Sequence, residues 1–424
     1  MTVTMLIIFM LLTLLGVPIA VALGIASLGA LWIGGSLDLI LLALRFFAAP
    51  QSFMLIAVPL FIFVGIIVTE GKASDILFDF ADSLCAGTRG GLGYANVLGS
   101  MIFGGISGSS TADAAGLGLV EVRAMVARGY PRDWSAACTV ASSTLAVVIP
   151  PSVIMVIYAV AASQSAVKCL VAGLLPGILI TIGLMAQWYI VARKSNWPVS
   201  QPFSLRNIFT KLKAAWPLVL LPIVFLAGLL FGFLTPTEGA SAIAIYSFIL
   251  CVFGYRTVKV KQLVRIFVET AKITGSLLFM ICTSSLASYI MSRENIPVVF
   301  TEWILSLTQS PVVILIFINI FLLILGCLME GIVIVLLTTP VFLPLFVKIG
   351  IDPIHAGVIM ITTLAIGLIT PPVGVCLFAT SVATEIPMEE ILRVMPSFLL
   401  FLFITLVMIN AFPFISLALP ALIK

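Results

Sequence analysis

Long apolar runs alternate with short polar punctuation along nearly the whole chain. A membrane-crossing helix takes about 20 apolar residues. Runs of that kind fall at roughly 4–34, 52–70, 134–163, 169–192, 215–234, 238–254, 268–292, 354–383 and 396–420. Two further stretches, 93–127 and 311–347, are too long for one crossing and are broken near their middles. The first break reads Gly104-Gly105-Ile106-Ser107-Gly108-Ser109-Ser110-Thr111, and the second Gly326-Cys327-Leu328-Met329-Glu330-Gly331. A re-entrant hairpin fits both, because non-helical backbone is tolerated at membrane depth only against protein or a watery cavity. Residues 72–90 and 293–309 read as amphipathic linkers into these hairpins.

The two halves repeat one order: helix, helix, linker, hairpin, broken helix, helix. The first half runs from 4 to 192 and the second from 238 to 420, with the extra helix 215–234 between them. Five membrane elements per half is an odd number, so the second copy is inverted. Pro150-Pro151 and Pro371-Pro372 interrupt the two broken helices 221 residues apart, and the same offset carries Gly129 onto Gly350. Hydroxyl clusters precede each pair, Ser142-Ser143-Thr144 and Thr362-Thr363. Inverted repeats with paired broken helices predict a secondary transporter with its site near the bilayer midplane.

Composition narrows the class. Of 424 residues, 62% are hydrophobic and only 9% charged, against roughly 25% charged in a soluble domain. Lipid has to cover the surplus apolar surface. The net charge of +4 is small, and the bases sit between apolar runs, so they read as topology signals and not as a nucleic-acid footprint. With the N-terminus placed in the cytoplasm, the inside loops collect 16 of the 21 Lys and Arg, including Lys72, Arg128, Arg132, Lys211, Arg265 and Arg393. The outside keeps Arg45, Lys168, Arg293, Lys348 and Lys424. This layout opens the first hairpin to the cytoplasm and the second to the outside, and puts the C-terminus in the periplasm. The uncharged opening run, Met1 to Leu37, lacks the positive start of a signal peptide and is long enough to span. Seven scattered cysteines without a Cys-x-x-Cys pair give no disulfide or transition-metal pattern. No Walker A motif occurs, which excludes P-loop ATP hydrolysis.

The broken elements carry the chemistry. A Pro-Pro pair inside a helix removes two donors and frees carbonyls one turn earlier. Those carbonyls, with Ser and Thr hydroxyls, make an all-oxygen cage suited to a hard monovalent cation, one cage per repeat. A helix restarting after the break points its positive end at the same place and favours an anion beside the cation. At the first tip, glycines free the backbone and Ser107, Ser109, Ser110 and Thr111 supply oxygens. Asp113 and Glu330, acids at predicted membrane depth, are expected to be functional. His355, the single histidine, reads as an interfacial residue at the outer end of a broken helix. The basic loop 193–213 reads as a solvated connection that also touches anionic lipid.

Several runs resemble the large membrane subunit of TRAP (tripartite ATP-independent periplasmic) transporters. Gly232-Phe233-Leu234-Thr235-Pro236-Thr237-Glu238-Gly239-Ala240 is similar to that family's Thr-Pro-Thr-Glu-Ala signature, with Gly239 where Ala is usual. Ser107-Gly108-Ser109-Ser110 with Gly129-Tyr130, Ile149-Pro150-Pro151-Ser152, and Ile369-Thr370-Pro371-Pro372-Val373-Gly374 resemble its hairpin and broken-helix motifs, in order along the whole chain. The resemblance implies an all-α elevator-type transporter with two re-entrant hairpins, driving Na+-coupled uptake of a sialic acid or C4-dicarboxylate type of anion. It implies two partners, a small membrane (Q) subunit and a periplasmic substrate-binding (P) protein, and residence in a bacterial inner membrane. One Na+ site is expected at Gly105, Ser107, Ser109, Ser143, Thr144 and Pro150. The other is expected at Gly326, Glu330, Thr363, Gly367, Thr370 and Pro371. Glu330 stands where Asp is common in the family. The anion is expected at Ser109, Ser110, Asp113, Ser152, Thr370 and Gly374, and Ala112-Asp113-Ala114-Ala115 resembles the sialic-acid branch.

The implied division is scaffold at 1–92 and 169–310, transport body at 93–168 and 311–385, and a C-terminal helix at 386–424. Two rival readings share some of these features. A stand-alone anion/Na+ symporter or antiporter would need no binding protein. An intramembrane serine protease would use Gly105-Ile106-Ser107-Gly108, but its base would have to be His355, predicted near the opposite surface.

Overall fold

The computed structural model describes residues 1–35, 38–195, 197 and 202–423. Leu37, Lys424 and residues 196 and 198–201 of the basic loop lie outside them. Among the described residues every regular element is helical. The long helix Val260–Arg293 has 34 residues, about 50 Å at 1.5 Å per residue, so its two ends mark the two faces of the molecule. Arg265 near one end approaches Glu70 at 3.7 Å. Glu294, capping the other end, pairs with the Met1 amine at 2.6 Å.

That last contact overturns two expectations. Residues 4–34 do not cross as one helix. Thr2–Leu14 and Ile19–Ile33 pack against each other as a hairpin, with Met1 touching Gly34. The turn is made by Gly16, at φ +80°, and by Pro18, which caps the second helix. Apolar content is uniform through the turn, which is why hydropathy alone reads a single span. The amino end therefore lies on the face of Glu294, opposite the strongly basic face on which the charge pattern placed it. A short helix, Leu39–Ala48, then packs along Val260–Arg293.

The remaining elements follow the sequence reading. Phe53–Glu70 leads into the amphipathic arm Ala73–Leu84. The first helical hairpin pairs Gly91–Ser107 with residues 110–127, which include a π-helical turn at Asp113–Leu117. The broken helix Arg132–Val148 and Val153–Ala161 bends by 42°. Ala166–Lys194, Leu205–Leu230 and Pro236–Gly254 follow. After Val260–Arg293 come the second arm Ile296–Leu307 and the second hairpin, Pro311–Leu328 with Gly331–Lys348. Pro353–Gly367 and Val375–Thr384 form the second broken helix, and Met388–Ala411 is the last long helix. Both Pro-Pro bonds are cis. Ionic contacts gather the basic ends on one face: Arg128 to Asp82 at 2.7 Å, and Lys211 to Asp79. On the other, Tyr158 donates to the Pro353 carbonyl at 2.5 Å.

The repeats interlock. The first half of each broken helix packs on its own hairpin, but Val153–Ala161 packs on Gly331–Lys348, and Val375–Thr384 on Asp113–Leu117. The scaffold is exchanged in the same way, since Ile19–Ile33 packs on Val260–Arg293 and Pro236–Ile249 on Ala57–Glu70. Small residues permit the close approaches, as expected where lipid is as apolar as the protein.

The run Thr235-Pro236-Thr237-Glu238 is a capping box. Thr235 accepts from the Glu238 backbone at 3.3 Å, the Glu238 carboxylate accepts from the Thr235 backbone at 2.8 Å, and Pro236 occupies the first turn. Both orphan donors at this helix start are thereby satisfied. Thr235→Ala should lower stability by about 1 kcal/mol, measured as thermal unfolding of the purified protein, with uptake per folded molecule unchanged. A transport defect at native stability would show that the motif does more than cap a helix.

Candidate functional site

Both hairpin tips and both helix breaks meet around one cavity of about 720 Å³. Ser107, Ser109, Ser110 and Thr111 line it from the first tip, and Glu330 and Gly331 from the second. Thr69, Glu70 and Glu269 form its scaffold wall. Each tip is seated on its own break by backbone. Val153 N donates to Gly108 O at 3.4 Å, while Gly374 N and Val373 N donate to Cys327 O at 3.2 and 3.3 Å. Gly108, at φ +63°, closes the first arm. Ser109 begins the second as its N-cap, its hydroxyl accepting from Ala112 N at 3.4 Å and lying 3.1 Å from Thr111 Oγ1.

Four helices start at this cavity: those after Ser109, Ser152, Glu330 and Gly374. Their N-terminal ends supply positive potential. Among the described lining residues the charged side chains are Glu70, Glu269 and Glu330, and no Lys, Arg or His is present.

The expected first-cation residues cluster around the first break. A methyl on Gly105 would lie 3.5 Å from Pro150 O, and Ser107 is buried beside Gly65. Ser143 and Thr144 donate to their own helix, to Val140 O and Ala141 O at 2.8 and 2.7 Å, which leaves their oxygens able to accept further contacts. In the second repeat Gly326 and Gly367 touch backbone to backbone. Thr370 donates to Ile366 O at 2.6 Å. Thr363 lies one turn before Gly367, and its hydroxyl donates to Ile359 O at 2.8 Å and Asn319 Oδ1 at 2.5 Å. Pro371 is solvent-exposed, whereas Pro150 is buried.

Of the expected anion residues, Ser109 and Ser110 line the cavity, and Asp113, Ser152, Thr370 and Gly374 do not. Ser152 is fully buried as an N-cap, accepting from Met155 N and donating to Val147 O. Gly374 is the N-cap of Val375–Thr384, at φ +53°. Asp113 is buried behind the tip, and neither carboxyl oxygen has a hydrogen-bond partner. His355 is also buried, not interfacial, because the start of its helix is covered by Tyr158 and its neighbours.

Sequence reasoning missed a buried polar network behind the first tip. Glu121 is fully buried and accepts from Thr139 Oγ1 at 3.3 Å. Asn96 donates to Thr139 Oγ1 at 2.6 Å and accepts from Ser142 Oγ at 2.8 Å. Ser100 completes the set against Ser142 at 2.9 Å. Cys376, at the second break, sits beside Ser110 and Ser143, so the two repeats touch here. The available signal was polarity inside hairpin arms that otherwise read as membrane helix.

Two inverted repeats, paired hairpin tips and discontinuous helices around one cavity define a polytopic membrane transport protein, not an enzyme. The chain belongs to the family described as the DctM component of tripartite ATP-independent periplasmic transporters, whose model matches residues 6–415. It is 38% identical over 380 residues to the C4-dicarboxylate TRAP transporter large permease DctM of Pseudomonas aeruginosa, covering 89% of each chain. It is 34% identical to the sialic acid TRAP transporter large permease SiaM of Vibrio cholerae, covering 96% of this chain and 95% of that one. An isethionate TRAP permease, DctMQ of Oleidesulfovibrio alaskensis, is 35% identical over 91% of this chain and 61% of its own length. Among solved structures, the Alcanivorax borkumensis YdaH transporter has the same overall fold, with a TM-score of 0.64 at 16% identity over 90% of this chain and 89% of that one.

Proposed function

We propose that this chain is the large permease of a Na+-coupled uptake system for a small organic anion. The observation that carries the proposal is the cavity's charge balance: four helix N-termini and a row of hydroxyls attract an anion, while no basic side chain lines the wall to neutralise it. Cations must then enter with the anion. The two tip-and-break cages, one per repeat, supply oxygens for them, and Glu330 adds one acidic ligand to the second. The names of the relatives set the class: C4-dicarboxylate, sialic acid and isethionate are all small anions. Ser109 and Ser110 would meet the anionic group first.

Residues 93–168 and 311–385 form the moving body in this reading, sliding past Phe53–Glu70 and Val260–Arg293. The cavity reaches Glu70 and Glu269, on the strongly basic and hence cytoplasmic face, so the structure corresponds to the inward-open state. The chain resides in a bacterial inner membrane, with Met1 and the last helix's end on the periplasmic side. A small membrane subunit and a periplasmic binding protein, which delivers the anion, complete the system.

The test is uptake of labelled sialic acid and labelled succinate into proteoliposomes holding the chain with its small subunit, with and without the binding protein and an inward Na+ gradient. Uptake should need both additions, and Ser107→Ala should reduce it roughly tenfold or more by removing one cage ligand. Uptake without the binding protein would replace this reading with a stand-alone symporter. Uptake without Na+ would remove the coupling.

A further inference from the structure

We infer that Asn96 and Asn319 are positioning residues which set the register of each hairpin on its broken helix, and thereby the geometry of both cation cages. The inference rests on the Na+-coupled reading above.

Asn96 lies on Gly91–Ser107 and Asn319 on Pro311–Leu328, the first arm of each hairpin. Each accepts a hydrogen bond at its carboxamide oxygen from a hydroxyl on the first half of its own broken helix. Ser142 donates to Asn96 at 2.8 Å, and Thr363 donates to Asn319 at 2.5 Å. Ser142 and Thr363 are themselves 221 residues apart, the spacing of the two Pro-Pro pairs. The two bonds are therefore equivalent by the internal symmetry, although one uses Ser and the other Thr.

One turn further along each broken helix stands the residue on which the hairpin arm closes. Ala146 follows Ser142, and a methyl on Gly104 would come within 2.7 Å of it. Gly367 follows Thr363, and a methyl on it would come within 2.7 Å of Gly326. Beyond these contacts the chain breaks and the tip carbonyls, Gly108 O and Cys327 O, receive the N–H groups of the restarting helices. The order is the same in both repeats: carboxamide clasp, close backbone contact, tip on break.

Apolar packing alone fixes such a register poorly, because hydrocarbon lies on every side and a slipped pair of helices loses little. A hydrogen bond fails on a slip of one residue, about 1.5 Å along the axis. A single buried Asn sets register in coiled coils for the same reason. Asn319 also donates to Asn410 at 3.0 Å, and Asn96 to Thr139, so both carboxamides are held at both ends. A register error at the clasp would displace the cage carbonyls by a comparable distance. Thr363 acts on the second cation through Asn319 on this account, and not as a direct ligand.

The experiment uses Asn319→Leu and Asn96→Leu, which nearly preserve volume, and Ser142→Ala, which removes one hydroxyl and disturbs folding least. Two quantities are read: the Na+ concentration for half-maximal uptake in the full three-component proteoliposome, and the Na+ concentration for half-maximal thermal stabilisation of the purified permease. Each variant should raise both by roughly tenfold or more, while maximal uptake at saturating Na+ stays within about twofold of the parent. A purely structural role would instead lower maximal uptake and stability with the Na+ midpoint unchanged, and that result overturns the inference. If the parent protein shows no Na+-dependent stabilisation or uptake, the coupling itself fails.

Discussion

Replacing Gly108 with valine should abolish uptake while leaving the protein folded in the membrane. Gly108 has φ +63°, and a Cβ there would lie 2.5 Å from Pro151 O and 3.3 Å from Val153 N. The left-handed backbone costs a branched residue roughly 1–2 kcal/mol. The collision adds about as much again, because the atom met is a carbonyl in the helix break and cannot swing aside. Together these are about 3 kcal/mol, or on the order of a hundredfold in an equilibrium between seated and displaced tip. The displaced tip loses its bond from Val153 N and pulls Ser107 and Ser109 off the break. Gly129→Ala is the control: φ is +86°, but nothing lies within 4 Å of the added methyl, so it carries the backbone strain alone. Uptake normalised to folded protein should fall about a hundredfold for Gly108→Val and only slightly for Gly129→Ala. Equal, small effects would mean that seating the first tip on its break is not required for transport.

Gly93→Ala should be the most damaging single methyl in the first hairpin. Its Cβ would fall 1.8 Å from Trp188 Cε2 and 2.2 Å from Nε1. Trp188 is completely buried, donates to Gly90 O at 2.8 Å, and packs against Trp197 with ring centroids 4.6 Å apart and against Phe398 at 6.3 Å. It cannot move without breaking the hydrogen bond and the aromatic cluster. Overpacking and the lost bond amount to about 3 kcal/mol, which should lower the unfolding temperature by on the order of 10 °C. Combining Gly93→Ala with Trp188→Leu should recover part of that loss, since the smaller side chain clears the collision. A double variant no better than the sum of the singles would place the defect elsewhere.

The hairpins, the two broken helices and the inverted order were legible because each rests on a strong local signal: Gly-rich tips, Pro-Pro pairs and apolar runs of spanning length. The opening hairpin was not legible, since Gly16 and Pro18 interrupt a run whose hydropathy never drops. Nor was the depth of the site residues. Ser109 and Ser152 look alike in sequence, yet one lines the cavity and the other is a buried cap. Asn96, Glu121 and Asn319 passed as incidental polarity in apolar helices, because their partners Ser142, Thr139 and Thr363 are 46, 18 and 44 residues away. Such partnerships exist only once the helices have packed.

The exchange of helix halves between repeats has a consequence for how the chain is made. Val153–Ala161 leaves the ribosome about 170 residues before Gly331–Lys348, the hairpin it rests on. Until then its exposed side has only lipid, the insertion machinery or a chaperone for company. The first repeat cannot be finished on its own, so assembly of the cavity is the last act of synthesis. A nascent chain released early would expose an unfinished half for quality-control proteases to recognise.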